Sequence, residues 1–494
     1  MRRRRVLIVS GGSSQLDHLR WSGSLDELAG RVDLDLAAPT AIERWGHSSA
    51  VDLLTYRYDA DCHAAGGRLR ESGTVRRFFV LSGFRWRFLE KIFRGLEVPR
   101  RWWSMRGLRR LLRVSPTILR RAVRHVPIVL RALPGVHGLW RRRTESCVKR
   151  GCGIADVIER THPDVVVLLF KQQDGYTLAT QFACREAGVP CVVVPLKWDN
   201  ATSKTTFRIP PDRLAVFSSA VGAAAARIHG LRASSIAVVG SAQAEAQRAA
   251  LRSATLVPSG RDVVALGFGD PRSETRRWLP LLAQTISQRD AVDKVKVSGA
   301  AVLWRPYPGD SPTHRAQLVA AAARMPGVEL DSDIAHGRSH RAESTTAENR
   351  RAAFGRYVDL LGGARLVVSG STSAVLDARL AGLPVVIPAF RDGALLCDVP
   401  HFLRVHTHAR GLWHTNGVFI AETEEEFVRL VNDFLDHPRR IPPDNSGEHI
   451  FVDERTYAQR LIDVIEDAIA EKEHERATAR ASRRDSSVQT SGHG

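Results

Sequence analysis

The sequence predicts an α/β protein of two Rossmann-type domains facing across a cleft, with a basic helical insertion in the first. Three observations carry this. Short apolar runs alternate with helical patterns along most of the 494 residues. The run Val165–Phe170 is apolar at every position, as a parallel strand covered on both faces must be. A polar break around residues 250–260 separates two such series, each of ordinary domain length.

The first domain is expected over residues 1–255. It opens with a strand at Arg5–Val9 and a turn, Ser10-Gly11-Gly12-Ser13-Ser14. A helix from about Gln15 to Gly30 and a strand at Val32–Ala37 follow. After the insertion, strands are expected at 165–170, 190–195, 213–218 and 235–239, with helices between them. The second domain, 256–473, repeats the alternation. Its strands are expected at 262–267, 300–305, 364–369 and 383–387, and its last helices at 423–436 and 454–471. Residues 474–494 are polar and aromatic-free and read as a disordered tail.

The net charge of +19 has one source. Residues 68–150 hold 23 Lys and Arg against four acids, so the remainder is near neutral. Within that segment cations alternate with bulky apolar groups, among them Trp86, Arg101, Trp102, Trp103 and Trp140. Arginine seeks anionic headgroups and tryptophan seeks the membrane interface, so these five are expected to meet an anionic membrane surface. A solvated basic face over a helical hairpin is the alternative. No nucleic-acid module is recognisable, and nucleic acid is not an expected partner. The apolar run after the N-terminal arginines stops at four residues, too short for a signal peptide. The expected location is cytoplasmic, peripheral at the inner membrane face. The six cysteines read as free thiols, with a Cys147–Cys152 disulfide as the alternative.

The strongest local feature is Val367-Val368-Ser369-Gly370-Ser371-Thr372-Ser373, a strand running through a hydroxyl-rich turn into a helix. A helix amino end at the carboxyl edge of a sheet can hold a phosphate, although Ser and Thr also cap helices that bind nothing. This stretch, with Asp377 and Ala381-Gly382-Leu383-Pro384, resembles the donor half of GT-B glycosyltransferases. It is most similar to bacterial surface-polysaccharide and CDP-glycerol glycerophosphotransferase-like transferases. Trp304-Arg305-Pro306-Tyr307-Pro308 and Lys197-Trp198-Asp199-Asn200 resemble two further segments of those proteins.

The resemblance implies transfer of a glycosyl or polyol-phosphate group from a nucleotide-activated donor to a polysaccharide or lipid-linked acceptor. A nucleotide-sugar epimerase of the same fold and a non-catalytic scaffold are the alternatives. Donor binding would fall to Gly267, Gly269, Arg305, Ser371, Thr372, Ser373, Asp377 and His401. Gly11, Gly12, Trp198 and Asn200 would lie on the acceptor side. The base that removes the acceptor proton would be His18 or Asp199. No cofactor beyond the nucleotide co-substrate is expected. No metal site is expected either: the pairs Asp33/Asp35, Asp59/Asp61 and Asp331/Asp333 read as chance spacings.

Overall fold

The computed structural model describes residues 2–11, 13–39, 53–56, 152–170, 175–203, 207, 209–253, 263–267, 277–293, 302–306, 312–337, 347–370, 372–390, 411, 414–442, 448–449 and 453–490. The basic insertion lies outside them.

The first sheet is built from β1 (Arg5–Ser10), β2 (Asp33–Pro39), β3 (Leu53–Tyr56), β4 (Val165–Phe170), β5 (Cys191–Pro195), β6 (Arg213–Val216) and β7 (Ile236–Val238). The helices of this half are α1 (Ser13–Trp21), α2 (Ser24–Arg31), α3 (Ile154–Thr161), α4 (Gly175–Ala187), α5 (Asn200–Ser203), α6 (Ser219–His229) and α7 (Ala242–Ser253). All pairings are parallel, in the order β3-β2-β1-β4-β5-β6-β7.

The second sheet comprises β8 (Val263–Leu266), β9 (Val302–Arg305), β10 (Val328–Leu330), β11 (Leu366–Ser369), β12 (Val385–Pro388) and β13 (Val418–Ala421). Its helices are α8 (Trp278–Asp293), α9 (Pro312–Ala322), α10 (Ser332–Ala335), α11 (Ala347–Gly363), α12 (Ser373–Leu380) and α13 (Glu424–Asp436). The order is β10-β9-β8-β11-β12-β13, again all parallel. Each sheet reverses direction of winding beside its first strand, between β1 and β4 and between β8 and β11. Doubly wound sheets bind ligands at that switch point, outside the carboxyl ends of the strands.

Side chains alternate across each strand, and the cores follow. Leu7, Val9, Val166 and Leu168 face one layer of helices. Val6, Ile8, Val165, Val167 and Leu169 face the other. In the second sheet Val264, Leu266 and Val367 take one face, and Val263, Trp304 and Val368 the other. Three strands escape the sequence reading: β3, β10 and β13. All three are sheet edges of three or four residues, too short to show a period.

The last helix corrects the expected domain division. Helix α14 (Tyr457–Thr490) is continuous through the stretch read as a disordered tail. Its first half leaves the second domain and covers the first sheet, where Tyr457, Ala458, Leu461, Val464, Ile465 and Ala468 pack with Val6, Ile8 and Val167. From residue 470 to 482 it is a charged, largely exposed helix. Arg213 pairs with Glu471, Lys472 with Glu475 at 3.0 Å, and Arg476 donates to the Gly188 carbonyl at 2.7 Å. Alanine, glutamate, lysine and arginine favour helix without needing an apolar face, so composition alone does not separate such a helix from a disordered tail.

No helix among the described residues is long and apolar enough to cross a membrane. Cys152, Cys184 and Cys191 are buried free thiols, as expected of them. Leu461 is fully buried under the first sheet. Leu461→Ala should cost about 2–5 kcal/mol, measured by urea unfolding.

Candidate functional site

A shallow cleft, open to solvent, lies between the two domains. Its first-domain wall is made by residues that follow successive strands: Lys197 and Trp198 after β5, Phe217 after β6, Gly240 and Ser241 after β7. Gln243 and Ala244 of α7 extend it. The opposing wall is one face of α12, with Ser373, Leu376, Asp377 and Leu380. His449, on the segment returning from the second domain to α14, completes the lining.

The second-domain wall is fixed locally. Thr372 caps α12: its Oγ1 accepts from the Ala374 amide at 3.2 Å. That hydroxyl is thereby spent on the helix, while Ser373 presents the amino end of α12 to the cleft. At its other end α12 is anchored by Arg379, which is fully buried. Arg379 donates to the carbonyls of Leu383, Asn416, Ile441 and Pro442, at 2.5 to 2.9 Å. Burial without a carboxylate pushes its guanidinium down to about 10. Gly417, at φ 78°, is required beside it, because a Cβ there would stand 2.4 Å from the guanidinium carbon. Sequence reasoning missed Arg379. The available signal was an arginine one turn after Val375 on an otherwise apolar helix face.

Arg305 ends β9 as predicted but points into the domain. It is 7% exposed, and its Nη1 donates to Asp331 Oδ2 at 2.6 Å. Its guanidinium lies 4.9 Å from the centre of the Tyr357 ring. Gly267, at the end of β8, donates its amide to the Arg305 carbonyl at 3.0 Å. Tyr357 in turn donates to Asp377 Oδ2 at 3.1 Å. Asp377 thus reaches the cleft, whereas Arg305 stands behind it with its charge met by Asp331. Asp331 also caps α10 through the amides of Asp333 and Ile334. Asp333 holds Arg356 in a bidentate pair at 2.9 and 3.0 Å. Both carboxylates of this Asp-x-Asp pair are committed to arginines. Among the described residues no cluster of His, Cys, Asp and Glu suits a metal ion.

The first-domain candidates separate. Trp198 lines the cleft. Asn200 starts α5 and donates to the Phe170 carbonyl at 3.0 Å, tying the Trp198 loop to the end of β4. Asp199 is buried, and its carbonyl accepts from the Thr202 hydroxyl at 3.3 Å. Its side chain is not part of the cleft lining. Gly11 approaches Tyr176 so closely that a Cβ would fall 2.2 Å from the ring. The Tyr176 hydroxyl donates to the Leu169 carbonyl at 3.0 Å. The glycine therefore makes room for the protein's own tyrosine at the β1–β4 switch point.

His18 packs edge-on to Trp21 at 5.2 Å and lies 6.1 Å from Phe354. Trp21 stacks on Phe354 of α11 at 5.1 Å. These contacts join α1 to the second domain and put His18 in a domain seam rather than on the cleft lining. His449, which does line the cleft, was not anticipated; a single histidine in a linker gives no sequence signal. Gly12, Gly269, Ser371, His401, Trp86, Arg101, Trp102, Trp103 and Trp140 lie outside the described residues.

Beside His18, Asp17 binds Arg350 across the domain seam, Nε to Oδ2, at 2.7 Å, and both are about 95% buried. Burial holds the Asp17 carboxyl above the usual carboxylate range, against the pull of Arg350 and Arg20. The desolvation cost of this pair outweighs its attraction for the charged form.

No family profile matches the chain, and no curated protein matches it in sequence. Solved structures resemble it at low identity. It is similar to a UDP-GlcNAc 2-epimerase from Methanocaldococcus jannaschii, at 10% identity over 93% of this chain and 99% of that one, with a TM-score of 0.47. It is similar to a UDP-GlcNAc 2-epimerase from Neisseria meningitidis bound to UDP-GlcNAc, at 10% identity over 94% and 99%, TM-score 0.45. The apo lipopolysaccharide outer core galactosyltransferase WaaB is similar at 10% identity over 94% and 99%, TM-score 0.41. The architecture is GT-B-like. Two doubly wound parallel sheets share one cleft.

Two outcomes follow from this geometry. Gly11→Ala should destabilise the first domain by at least about 1–3 kcal/mol through overpacking against Tyr176, read by denaturant unfolding. Arg350→Ala leaves a buried carboxylate without its cation and should cost about 3–5 kcal/mol at pH 7. In that variant the Asp17 carboxyl rises further, so the folded state binds a proton that the unfolded state has released. Stability then falls as pH rises through that window. The deficit relative to the parent should therefore shrink as pH is lowered from 7 toward 4, in parallel unfolding curves.

Proposed function

We propose that the chain is a nucleotide-sugar enzyme that transfers a glycosyl or polyol-phosphate group from a nucleotide-activated donor. One observation carries the reading: the carboxyl edge of the first sheet faces one side of α12, with Ser373 in its first turn, across a shared cleft. The unpaired N–H groups and partial positive charge of a helix amino end favour a diphosphate. Lys197, on the opposite wall, adds a cation. The departing nucleoside diphosphate would be held at Ser373. The acceptor, a polysaccharide or lipid-linked glycan, would approach from the first-domain side. The basic, tryptophan-rich segment 68–150 supports an acceptor presented at an anionic membrane surface on the cytoplasmic side.

A second reading is favoured by a different observation. Neither His18 nor Asp199, the two bases expected on the first domain, lines the cleft. Epimerisation of the donor's own sugar needs no base for an acceptor hydroxyl, but a proton must leave a sugar carbon and another return, a role that falls to His449 on the cleft lining in this reading.

The test is thermal unfolding with UDP, GDP, CDP, TDP, ADP and their sugar conjugates. A true ligand at about 100 times its Kd should add about 2.7 kcal/mol. Ser373→Glu should abolish that shift without loss of fold, because an acid in a first helical turn suits the helix dipole but repels a diphosphate. No shift with any nucleotide would sink both readings. If one binds, conversion of its sugar conjugate without acceptor, followed by NMR, separates epimerisation from transfer.

A further inference from the structure

Among the described residues, Asp377 of helix α12 makes two hydrogen bonds to the first domain. Gln243 Nε2 donates to Asp377 Oδ1 at 3.4 Å, and Gln247 Nε2 donates to the Asp377 main-chain carbonyl at 2.5 Å. The two glutamines are four apart on α7 and so share one helix face. From the opposite side Tyr357 donates to Asp377 Oδ2 at 3.1 Å. The Tyr357 ring lies under Arg305, which is locked to Asp331. A chain of contacts therefore runs from the first domain, through the cleft wall, to the strand ends of the second sheet. Asp377 is 6% exposed and Gln247 fully buried. A carboxylate that receives one donor from each domain has both oxygens engaged before any ligand arrives.

We propose that Asp377 is a positioning residue that sets the width of the cleft by bolting α12 to α7, and that it does not itself grip the bound nucleotide-sugar. The kinetic consequence rests on the nucleotide-sugar reading; the mechanical one does not. Gln247 is the discriminating position, because it touches Asp377 but is not part of the cleft lining.

The full-length chain is compared with Asp377→Asn, Asp377→Ala and Gln247→Leu in two measurements. The first is the radius of gyration by small-angle scattering without ligand. The second is the Kd of whichever of UDP, GDP, CDP, TDP or ADP binds. Asp377→Ala and Gln247→Leu should both raise the radius of gyration. Both should weaken nucleotide binding by about tenfold, the scale of one lost hydrogen bond between the domains. Asp377→Asn keeps an oxygen for Tyr357 or Gln243 and should stay within about threefold of the parent.

Equal loss of binding in both Asp377 variants with an unchanged radius of gyration would mean direct ligand contact and would overturn the proposal. If no nucleotide binds the parent, the functional reading fails, and the scattering comparison still decides: an unchanged radius in Gln247→Leu overturns the bolt. Should Asp377→Ala not fold, Gln247→Leu decides alone.

Discussion

The packing of α14 on the first sheet is the constraint from which the domain arrangement follows. A parallel sheet must be covered on both faces. Helices α1 and α2 cover part of one face, and Leu461, Val464, Ile465 and Ala468 supply more of it from the far end of the chain. The chain therefore crosses between the domains twice. The second crossing brings His449 to the cleft. It also brings Arg460, whose buried guanidinium donates to the Val239 carbonyl at 2.8 Å and binds Glu245 and Asp453. Val239 immediately precedes Gly240 and Ser241 on the cleft wall. One apolar covering requirement thus fixes the position of a polar edge.

The interface between the domains is polar at its centre and aromatic at its margin. Asp17 and Arg350 are sealed from water, and beside them Trp21 stacks on Phe354. Gln243 and Gln247 reach Asp377 on the cleft itself. Buried polar contacts of this kind contribute little net stability but penalise misalignment, since each orphaned group loses its partner without regaining water. Such an interface holds a defined angle between two domains more than it holds them together. For a site made of two facing walls, the angle sets the chemistry.

The candidate site was only partly legible in the sequence. The strand, hydroxyl turn and helix at 366–380 were legible, because strand and helix periods and an N-cap are local signals; Ser373 and Asp377 accordingly stand on the cleft. Arg305 was placed correctly at a strand end, but its direction was not readable. The Asp331 carboxylate that turns it inward lies 26 residues away. The surroundings of His18 were unreadable for a similar reason: Trp21 is local, but Phe354 comes from the other domain. Gly11 was assigned to the acceptor side, and the Tyr176 ring that fills the space beside it arrives from α4.

The sequence by itself determined the α/β class, the two domains and most strands, because parallel strands buried on both faces must be apolar throughout and their connecting helices keep a 3.6-residue period. It also determined where the charge resides. Tertiary structure alone decided which domain the last helix serves and that the 474–490 stretch continues it. It decided as well that Arg379 is a buried anchor, and that Asp377 faces donors from two domains. Each of these depends on contacts between residues far apart in the chain, and periodicity reports only on neighbours.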